Sequence, residues 1–467
     1  MKYYILYILY FSLLFNSNAQ NWIGLNWGND RNGISALYCD SIENYIYAIG
    51  TFSEVNGNSI KGISRWNGLN WDSLGKGIDG LDTINSTPNA TFCITKFKND
   101  IYVGGAFSSL GNVKANSIGK WNGINWDTLS IQPSFKNNNC TIYHLNEIGN
   151  ELYVSGAFDS IGNISSNSIA KWDGANWHTL NFPTVYPSQI YTYARIYSTC
   201  IYKNELYVAG SFFSQPIDTI GNILAFNGTS WHTVGGGIKG NTGGIYSMSV
   251  FNNELYIAGY FNSANGNYGN NIQKWNGISW SYVGDSFIDE GTDNSINSIL
   301  TYQNKLYIFG NFDHAGGIEA HKIAYWNDTT WCALGGNFDN YLSSGVIFKD
   351  TLYVGGHFIT IDADSIHSIS KWMGGIYVDT CSLSSNVTEI NELDFSIFPN
   401  PVYNSLYLNS ESKCEKIEIF DLMGRKLFIL NPAELMNSID FSKFQTGLYI
   451  IKVSYKNNIF SKKIMKL

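Results

Sequence analysis

The sequence predicts an all-β fold: a seven-bladed β-propeller of four-stranded blades, followed by a small β-sandwich. Three observations lead to this prediction. One module recurs seven times, its copies are spaced by 46 to 55 residues, and its strands are apolar on both faces. Repeats with periods of roughly 20–50 residues are typical of solenoids and propellers. The 31 Tyr, 27 Phe and 14 Trp among 467 residues also favour β-structure.

The module is clearest between Leu255 and Trp280. A Tyr stands three residues before a Gly, and a Phe follows two residues after it. Sixteen residues after the Gly comes a first aromatic residue, and a second stands five residues further on. The seven glycines are Gly50, Gly105, Gly156, Gly210, Gly259, Gly310 and Gly356. The first aromatics are Trp66, Trp121, Trp172, Phe226, Trp275, Trp326 and Trp372, and the second are Trp71, Trp126, Trp177, Trp231, Trp280, Trp331 and Tyr377.

Each module contains four predicted strands, which in the fifth copy span residues 245–251, 254–261, 271–275 and 279–283. Asn276-Gly277 joins the last two strands, and Asn-Gly is a strong hairpin signal because both residues tolerate positive φ. The two aromatics of each module then fall on one face of the hairpin and pack together. We expect their role to be structural. All fourteen Trp belong to such paired segments when an N-terminal half-module is counted.

Both faces of each sheet are expected to be buried. Ile272 and Trp275 point to opposite faces of one strand, and Leu255-Tyr256-Ile257 places three bulky residues in a row. A propeller blade is covered by a neighbour on each side, whereas a half-exposed sheet has one polar face. The recurrent Gly is expected to allow close backbone approach where blades crowd. The propeller is predicted to span residues 20–380.

The ring must be closed between its first and last blades, since exposed strand edges invite aggregation. Residues 22–27 resemble the end of a module that lacks its beginning. We predict that a strand within residues 21–29 pairs with the blade formed by residues 343–372. In the competing interpretation, residues 376–380 supply that outer strand, and Trp22 and Trp27 cap blade one.

The N-terminal segment predicts export. Residues 1–19 contain Lys2, an apolar run and Ser17-Asn18-Ala19, which is the pattern of a secretory signal peptide with a mature chain starting at Gln20. No later stretch approaches the roughly 20 apolar residues that a membrane span requires. We therefore expect a secreted or surface-attached protein with no integral membrane segment.

Composition argues against several partners and cofactors. The net charge is -8, and the four arginines cannot form the basic face that nucleic acid needs. The seven cysteines show no CxxC pair, so they indicate buried thiols, with one disulfide left open. We predict no cofactor, and the cysteines and histidines show no spacing typical of a metal site.

The repeats resemble those of secreted bacterial propellers of the kelch-like or galactose-oxidase-like kind. The pattern is Leu-Tyr-Val-Gly-Gly-x-Phe followed by Ile-x-Lys-Trp-x-Gly-x-x-Trp, and the resemblance covers all seven modules. It implies the fold but not the chemistry.

After a polar linker at residues 381–392, residues 393–467 show short alternating strands, which indicate a small immunoglobulin-like β-sandwich. The ordered segments are Phe398-Pro399-Asn400-Pro401, residues 417–425 and residues 447–453. Together they closely resemble the C-terminal sorting domain of the bacterial type IX secretion system. The resemblance implies that these residues engage that machinery. It also implies that the domain is then removed, with the protein released or attached to the cell surface.

No catalytic, cofactor-binding or metal-binding residue stands out. A sialidase needs three clustered arginines, but Arg31, Arg65 and Arg195 are spread over two modules. A copper oxidase needs converging His, Tyr and Cys ligands, and the seven histidines show no ligand motif. His178 and His232 share one repeat position and are expected to be exposed on equivalent outer strands.

We therefore predict a non-enzymatic binding or adhesion protein, with a glycan or protein ligand on the propeller loops. Loops such as residues 182–186 and 191–193 carry aromatics that stack on a ligand or merely fill space between blades. The alternative is a secreted polysaccharide lyase or glycoside hydrolase. Converging carboxylates or a metal at the propeller axis would favour the enzyme.

Overall fold

The structure is a computed structural model. It describes residues 22–28, 32–79, 90–129, 133–134, 140–161, 164–187, 194–214, 221–238, 243–262, 266–284, 291–374, 380–381, 395–410, 415–421, 425–431, 436–455 and 458–467. The chain divides into two compact units, residues 1–382 and 383–467. The predicted signal peptide lies outside the described residues.

The first unit contains seven antiparallel sheets in its described residues, each with four main strands. In six of them the strands follow chain order from innermost to outermost, and in the seventh the outermost strand comes from the start of the chain. The innermost strands are Ile34–Asp40, Ala90–Phe97, Thr141–Ile148, Arg195–Tyr202, Gly244–Phe251, Ile296–Tyr302 and Leu342–Phe348. The second strands are Tyr45–Gly50, Asp100–Ala106, Glu151–Ala157, Glu205–Ser214, Glu254–Tyr260, Lys305–Gly310 and Thr351–Gly356.

The outer half of each sheet carries the paired aromatics. The third strands are Ile63–Trp66, Ile118–Trp121, Ile169–Trp172, Gly221–Phe226, Ile272–Trp275, Ile323–Trp326 and Ile369–Trp372. The outermost strands are Trp71–Ser73, Trp126–Asp127, Trp177–Thr179, Trp231–Thr233, Trp280–Ser281, Trp331–Ala333 and, for the seventh sheet, Trp22–Gly24.

Short additional strands accompany the main strands of the blades. Five hairpins, each made of two strands of two residues, lie between the second and third strands of a blade: Glu54–Val55 with Asn58–Ser59, Ser109–Leu110 with Val113–Lys114, Ser160–Ile161 with Ile164–Ser165, His314–Ala315 with Ile318–Glu319, and Thr360–Ile361 with Asp364–Ser365. Segments that lead from one blade to the next pair with the blade that follows: Ile78–Asp79, Pro133–Ser134 and Val185–Pro187.

The sheets form a closed ring in which each sheet is covered on both faces by its neighbours. Seven hydrophobic clusters occupy the interfaces between consecutive blades. The cluster that closes the circle joins Val346 and Phe348 of blade seven to Ile34 and Leu37 of blade one. The predicted all-β propeller with doubly buried blades is therefore confirmed.

Tryptophans of the outermost strands also join the blades through hydrogen bonds. Each indole N–H donates to a backbone carbonyl three or four residues beyond the equivalent Trp of the preceding blade, at 2.8 to 3.3 Å. The described pairs are Trp22 to Gly335, Trp71 to Leu25, Trp126 to Leu74, Trp231 to Leu180, Trp280 to Val234 and Trp331 to Val283. These bonds satisfy indole groups that burial would otherwise leave unpaired.

The predicted ring closure is confirmed. Trp22–Gly24 pairs antiparallel with Ile369–Trp372, and Trp22 lies opposite Trp372, as Trp71 lies opposite Trp66 in blade one. The competing outer strand at residues 376–380 falls mostly outside the described residues. Its last residue belongs to Thr380–Cys381, which pairs with the outermost strand of blade six instead.

Trp27 differs from its predicted role as the second member of an aromatic pair. It stands five residues beyond the outermost-strand position of Trp22 and packs edge-on against Phe52 and Trp71 of blade one, at 4.7 and 4.8 Å. Phe182 stands at the same distance from Trp177 and packs against Phe212 and Trp231 in the same way. Both side chains therefore fill the space between blades.

The hairpin turns have four residues, a length that the sequence left open between two and four. The two aromatics are directly paired, as in Trp275 with Trp280. The positive φ belongs to Gly277 but not to Asn276. Asn276 acts through its side chain, since Oδ1 accepts the N–H groups of Ile278 and Ser279. This is an Asx turn, and equivalent bonds occur at Asn67, Asn122, Asp173, Asn227 and Asn327.

One disulfide, which the sequence left open, joins Cys332 in the outermost strand of blade six to Cys381. The two cysteines are 49 positions apart in the sequence, and the segment between them contains the three inner strands of blade seven. Cys93 and Cys140 are buried free thiols, as expected, while Cys39 and Cys200 are half-buried. The disulfide therefore fastens the end of the propeller chain to a blade other than the one that closes the ring.

The second unit is a two-sheet sandwich. One sheet contains Phe395–Phe398, Ser405–Ser410 and Met436–Asp440, and the other contains Lys426–Leu430, Lys416–Phe420, Gly447–Tyr455 and Asn458–Lys466. A shared core of alternating apolar side chains, including Leu406, Ile419 and Ile451, lies between them. The unit thus has a hydrophobic core of its own.

Two substitutions test the closure. Trp22→Ala removes a side chain that is 1% exposed and should cost about 3–5 kcal/mol, with faster hydrogen exchange in residues 369–372. Trp27→Ala is the matched control, and its faster exchange should centre on Phe52 and Trp71. Mass spectrometry of exchanged peptides distinguishes the two patterns. Faster exchange confined to blade one in Trp22→Ala would contradict the closure.

Candidate functional site

Every innermost strand contains one extra residue relative to the second strand of the same blade, with which it pairs. In blade three, Ile142 is opposite Gly156 and His144 is opposite Ser155, so Tyr143 has no partner and forms a β-bulge. The same shift occurs in all seven blades. The bulge residues are Ser35, Phe92, Tyr143, Tyr197, Tyr246, Asn297 and Ser343. We call these seven residues the bulge ring.

The recurrent Gly of the module is what permits the bulge. A Cβ on any of the seven glycines would lie 1.9 to 2.3 Å from a backbone carbonyl oxygen at the start of the innermost strand or on the residue just before it, far inside contact distance. At Gly156, for example, the obstructing atom is the carbonyl oxygen of Thr141. The predicted close backbone approach therefore occurs within one blade, and not between crowded blades as expected from the sequence. A bulge re-aims the extra side chain away from the regular pleat.

The innermost strands line a central channel with a volume of about 920 Å³. All seven bulge residues line it, and all are half-buried. They lie near the start of each strand, where the chain arrives from the preceding blade. The bulge ring therefore marks one mouth of the channel, at the end reached by the segments that connect the blades.

The ring is divided into two halves. Phe92, Tyr143, Tyr197 and Tyr246 come from four consecutive blades, and neighbouring ring centroids are 5.4, 5.1 and 5.4 Å apart. We call these four residues the aromatic arc. Asn297, Ser343 and Ser35 come from the other three blades, and we call them the polar arc. The mouth thus has an aromatic wall facing a wall of hydroxyl and amide groups.

Below the mouth, side chains join adjacent innermost strands. Ser344, Ser198 and Ser247 each follow a bulge residue, and their hydroxyl oxygens accept backbone N–H groups from the next blade. The donors are Leu37, Met248 and Ile299, at 2.9 to 3.2 Å. These contacts occupy backbone donors that would otherwise face the channel, so they rigidify the wall behind the bulge ring.

His144 occupies the position equivalent to these serines in blade three. Burial lowers the pKa of His144 to about 4, against a weaker opposing effect from a hydrogen bond with the Thr199 backbone. Its Nε2 atom is buried and has no hydrogen-bond partner among the described residues. The imidazole is therefore neutral at physiological pH, and it lines the channel next to the bulge residue Tyr143.

The opposite end of the innermost strands holds an ion-pair cluster. Lys96 Nζ lies 2.6 Å from Asp40 Oδ2 and 3.0 Å from Glu43 Oε1. Burial is the largest influence on the pKa of Asp40 and would raise it, but the hydrogen bond and charge of Lys96, together with backbone hydrogen bonds from Glu43 and Ile42, lower that pKa overall. Burial would likewise lower the pKa of Lys96, but bonds to both carboxylates raise it. Asp40 and Lys96 therefore remain charged near neutral pH, and the cluster links blades one and two.

The residues considered for catalysis are not brought together. Arg65 lies 4.5 Å over the Tyr45 ring in blade one, Arg195 lies 5.6 Å over the Tyr143 ring, and Arg31 is outside the described residues. His178 and His232 are exposed on outermost strands, as predicted, and bind Asp173 and Glu205. Within the described part of the chain, no group of three potential metal ligands occurs.

Of the two loops that were predicted to contact a ligand, one contains a side chain buried between blades and the other lies outside the described residues. Phe182 was expected either to contact a ligand or to fill space, and it is 5% exposed between blades three and four. Residues 191–193 lie outside the described residues. The aromatic arc was not singled out from the sequence, because its members share no residue type with the other three blades. Its members stand at a constant distance before the recurrent Gly, but that spacing does not indicate that they line a channel.

Comparison with known proteins identifies the C-terminal segment. Residues 396–467 match the family model of the secretion system C-terminal sorting domain. This type IX sorting tail marks a protein that is secreted or attached to the cell surface, which confirms the predicted localisation. No helical segment with the length and hydropathy of a membrane span occurs in the part of the chain that the structure describes.

Solved structures show only distant likeness to the whole chain. PorZ, described as an essential bacterial surface component of the type-IX secretion system of Porphyromonas gingivalis, is 13% identical, with a TM-score of 0.45 and coverage of 93% of this chain and 59% of PorZ. The extracellular domain of BT4673 from B. thetaiotaomicron is 13% identical, with a TM-score of 0.37 and coverage of 92% and 61%. The chain thus spans less than two thirds of either structure.

A third structure, Bacteroides ovatus xyloglucan PUL GH43B, is 10% identical, with a TM-score of 0.26 and coverage of 94% of this chain and 89% of that one. No curated protein matches the chain significantly in sequence. These likenesses are too weak to assign an activity, so the function must be argued from the site.

The buried His144 predicts a specific pH dependence. Its folded-state pKa of about 4 is below the ordinary value of about 6.5, so the unfolded chain binds the extra proton first. The free energy of unfolding should therefore fall as the pH drops from 6.5 to 4, by roughly 3 kcal/mol at most. His144→Gln should flatten this part of the profile in chemical denaturation, whereas exposed His178→Gln should leave it steep. Identical profiles for His144→Gln and wild type would contradict the assignment.

Proposed function

We propose that this protein is a secreted or cell-surface binding protein that recognises its ligand at the bulge ring and does not transform it. The bulge ring carries this proposal. Seven glycines hold one backbone geometry, while the side chains that it presents differ from blade to blade. Variable side chains on a constant scaffold are typical of recognition surfaces. The resemblance of the repeats to kelch-like propellers is compatible with this function.

The chemistry of the channel favours binding over cleavage. Glu147 is the one carboxylate that lines the channel among the described residues, whereas glycoside hydrolysis generally uses a pair of carboxylates. Cys93 and Cys200 also line it. Burial raises the pKa of both thiols, to about 11 for Cys200, which opposes formation of a nucleophilic thiolate. The competing lyase or hydrolase function therefore has less support.

The proposed route to the cell surface uses both ends of the chain. Residues 1–19 act as a signal peptide, residues 20–380 form the binding propeller, residues 381–392 serve as a linker, and residues 393–467 engage the type IX machinery. The separate hydrophobic core of the second unit supports this division, because a domain with its own core can fold alone. An adhesive role for the exported propeller follows from ligand binding at its exposed mouth.

Blocking the mouth tests the binding function. Ser343→Arg places a long side chain in the polar arc. On an array of polysaccharides and extracellular-matrix proteins, this variant should no longer bind the ligands that the wild-type protein binds. Leu69→Arg, at an exposed hairpin tip, should bind as wild type, and both should keep the wild-type thermal midpoint. Chromatography of the bound ligands should detect no cleavage products. Undiminished binding by a folded Ser343→Arg protein would exclude the bulge ring as the site.

Deleting residues 393–467 tests the sorting function. The shortened chain should retain the thermal midpoint of the propeller, since the cores of the two units are distinct, but it should accumulate in the periplasm. Immunoblots of periplasmic and extracellular fractions measure the distribution. Normal appearance of the shortened protein outside the cell would contradict the assignment.

A further inference from the structure

We propose that the ligand at the bulge ring is a neutral carbohydrate chain, an inference that rests on the proposed binding function and specifies its ligand class. A sugar ring has an apolar face made of C–H groups and a periphery of hydroxyl groups. It is therefore well matched by a site that combines an aromatic surface with hydrogen-bonding groups. The two arcs of the bulge ring have this arrangement.

The aromatic arc supplies the stacking surface. Its four half-buried rings come from blades two to five and form a continuous series along the channel wall. The planes of Tyr143 and Tyr197 make an angle of 69°, and those of Tyr197 and Tyr246 make an angle of 86°. The three tyrosines thus meet edge to face, while the planes of Phe92 and Tyr143 make an angle of 40°. Each of the three tyrosines adds a hydroxyl to its apolar surface.

The polar arc supplies the hydrogen bonds. Ser343 and Ser35 carry hydroxyl groups, which both donate and accept and so match sugar hydroxyls. Asn297 donates from Nδ2 to the carbonyl oxygen of Leu342 at 2.9 Å, which orients its amide at the channel wall. Short side chains on this side also leave room opposite the bulky aromatic arc, so the ligand can lie between the two.

The charge distribution favours a neutral ligand. None of the seven bulge residues is ionisable near neutral pH. Arg195 lies over the Tyr143 ring at 5.6 Å, and Glu147 stands toward the other end of its strand, four residues beyond the bulge. A polyanion therefore finds no basic cluster among the described residues of this mouth.

An extended peptide is a poorer match. Peptides commonly bind by adding a strand to an unpaired sheet edge, and the innermost strands present their edges to the channel. However, Ser344, Ser198 and Ser247 already occupy backbone N–H groups along these edges. The channel volume of about 920 Å³ falls within the roughly 300–1,000 Å³ that is typical of small-ligand sites.

Affinity electrophoresis of the full secreted chain provides the test. The gels contain either neutral polysaccharides (β-glucan, mannan, galactan and arabinan) or acidic ones (polygalacturonate and hyaluronan). We expect retardation by at least one neutral polysaccharide, and about tenfold weaker binding for Tyr197→Ala and Tyr246→Ala, equivalent to about 1.4 kcal/mol. Tyr302→Ala is the matched control, because Tyr302 is the last residue of an innermost strand and is not among the channel-lining residues.

The outcomes separate this inference from the proposed function. Lack of retardation by every neutral polysaccharide overturns the inference. Binding to a matrix protein or acidic polysaccharide that Tyr197→Ala weakens also overturns it, but leaves recognition at the bulge ring intact. If a neutral polysaccharide is bound and cleaved, with release of new reducing ends, the ligand class stands and the non-enzymatic function fails. Equal binding by wild type, Tyr197→Ala and Tyr246→Ala, all with unchanged thermal midpoints, overturns the assigned site.

Discussion

The propeller depends on one steric constraint that recurs in every blade. A carbonyl oxygen of the innermost strand approaches the second strand so closely that only a residue without Cβ fits opposite it. This contact creates the bulge, and the bulge turns one side chain per blade into the channel. The structural role and the proposed recognition role therefore belong to different positions: the Gly must stay constant, whereas the bulge residue is free to change without disturbing the sheet.

The rest of the ring follows from burial on both sides of each blade. Apolar clusters fill the seven interfaces, and indole hydrogen bonds join the outermost strands of neighbouring blades. In such a ring, each blade is covered on both faces by its neighbours. Because the scaffold is held by these interfaces, its channel mouth needs no contribution from the ligand to keep its shape, which reduces the entropic cost of binding.

The fold could be predicted because its determinants are periodic. The Gly, the Phe after it and the paired aromatics occur at constant spacing, so a single sequence reveals the blades and even the closure by Trp22. The candidate site could not be predicted in the same way, since Tyr143 and Ser343 occupy equivalent positions but share no chemistry. Trp27 and Asn276 were misjudged for a related reason: residue type suggested a pair and a positive φ, whereas packing and side-chain hydrogen bonding determine their roles.

The pairing of Trp22–Gly24 with blade seven has a consequence for synthesis. Ser370 Oγ donates to the carbonyl oxygen of Ile23 across 347 residues of sequence. The strand that completes the ring is thus made before all the other propeller strands, but its partner, Ile369–Trp372, is the last main strand of the propeller to be made. The ring can therefore close only after residues 369–372 have been made. A polypeptide that stops before residue 369 keeps unpaired sheet edges, which are exposed to aggregation and proteolysis.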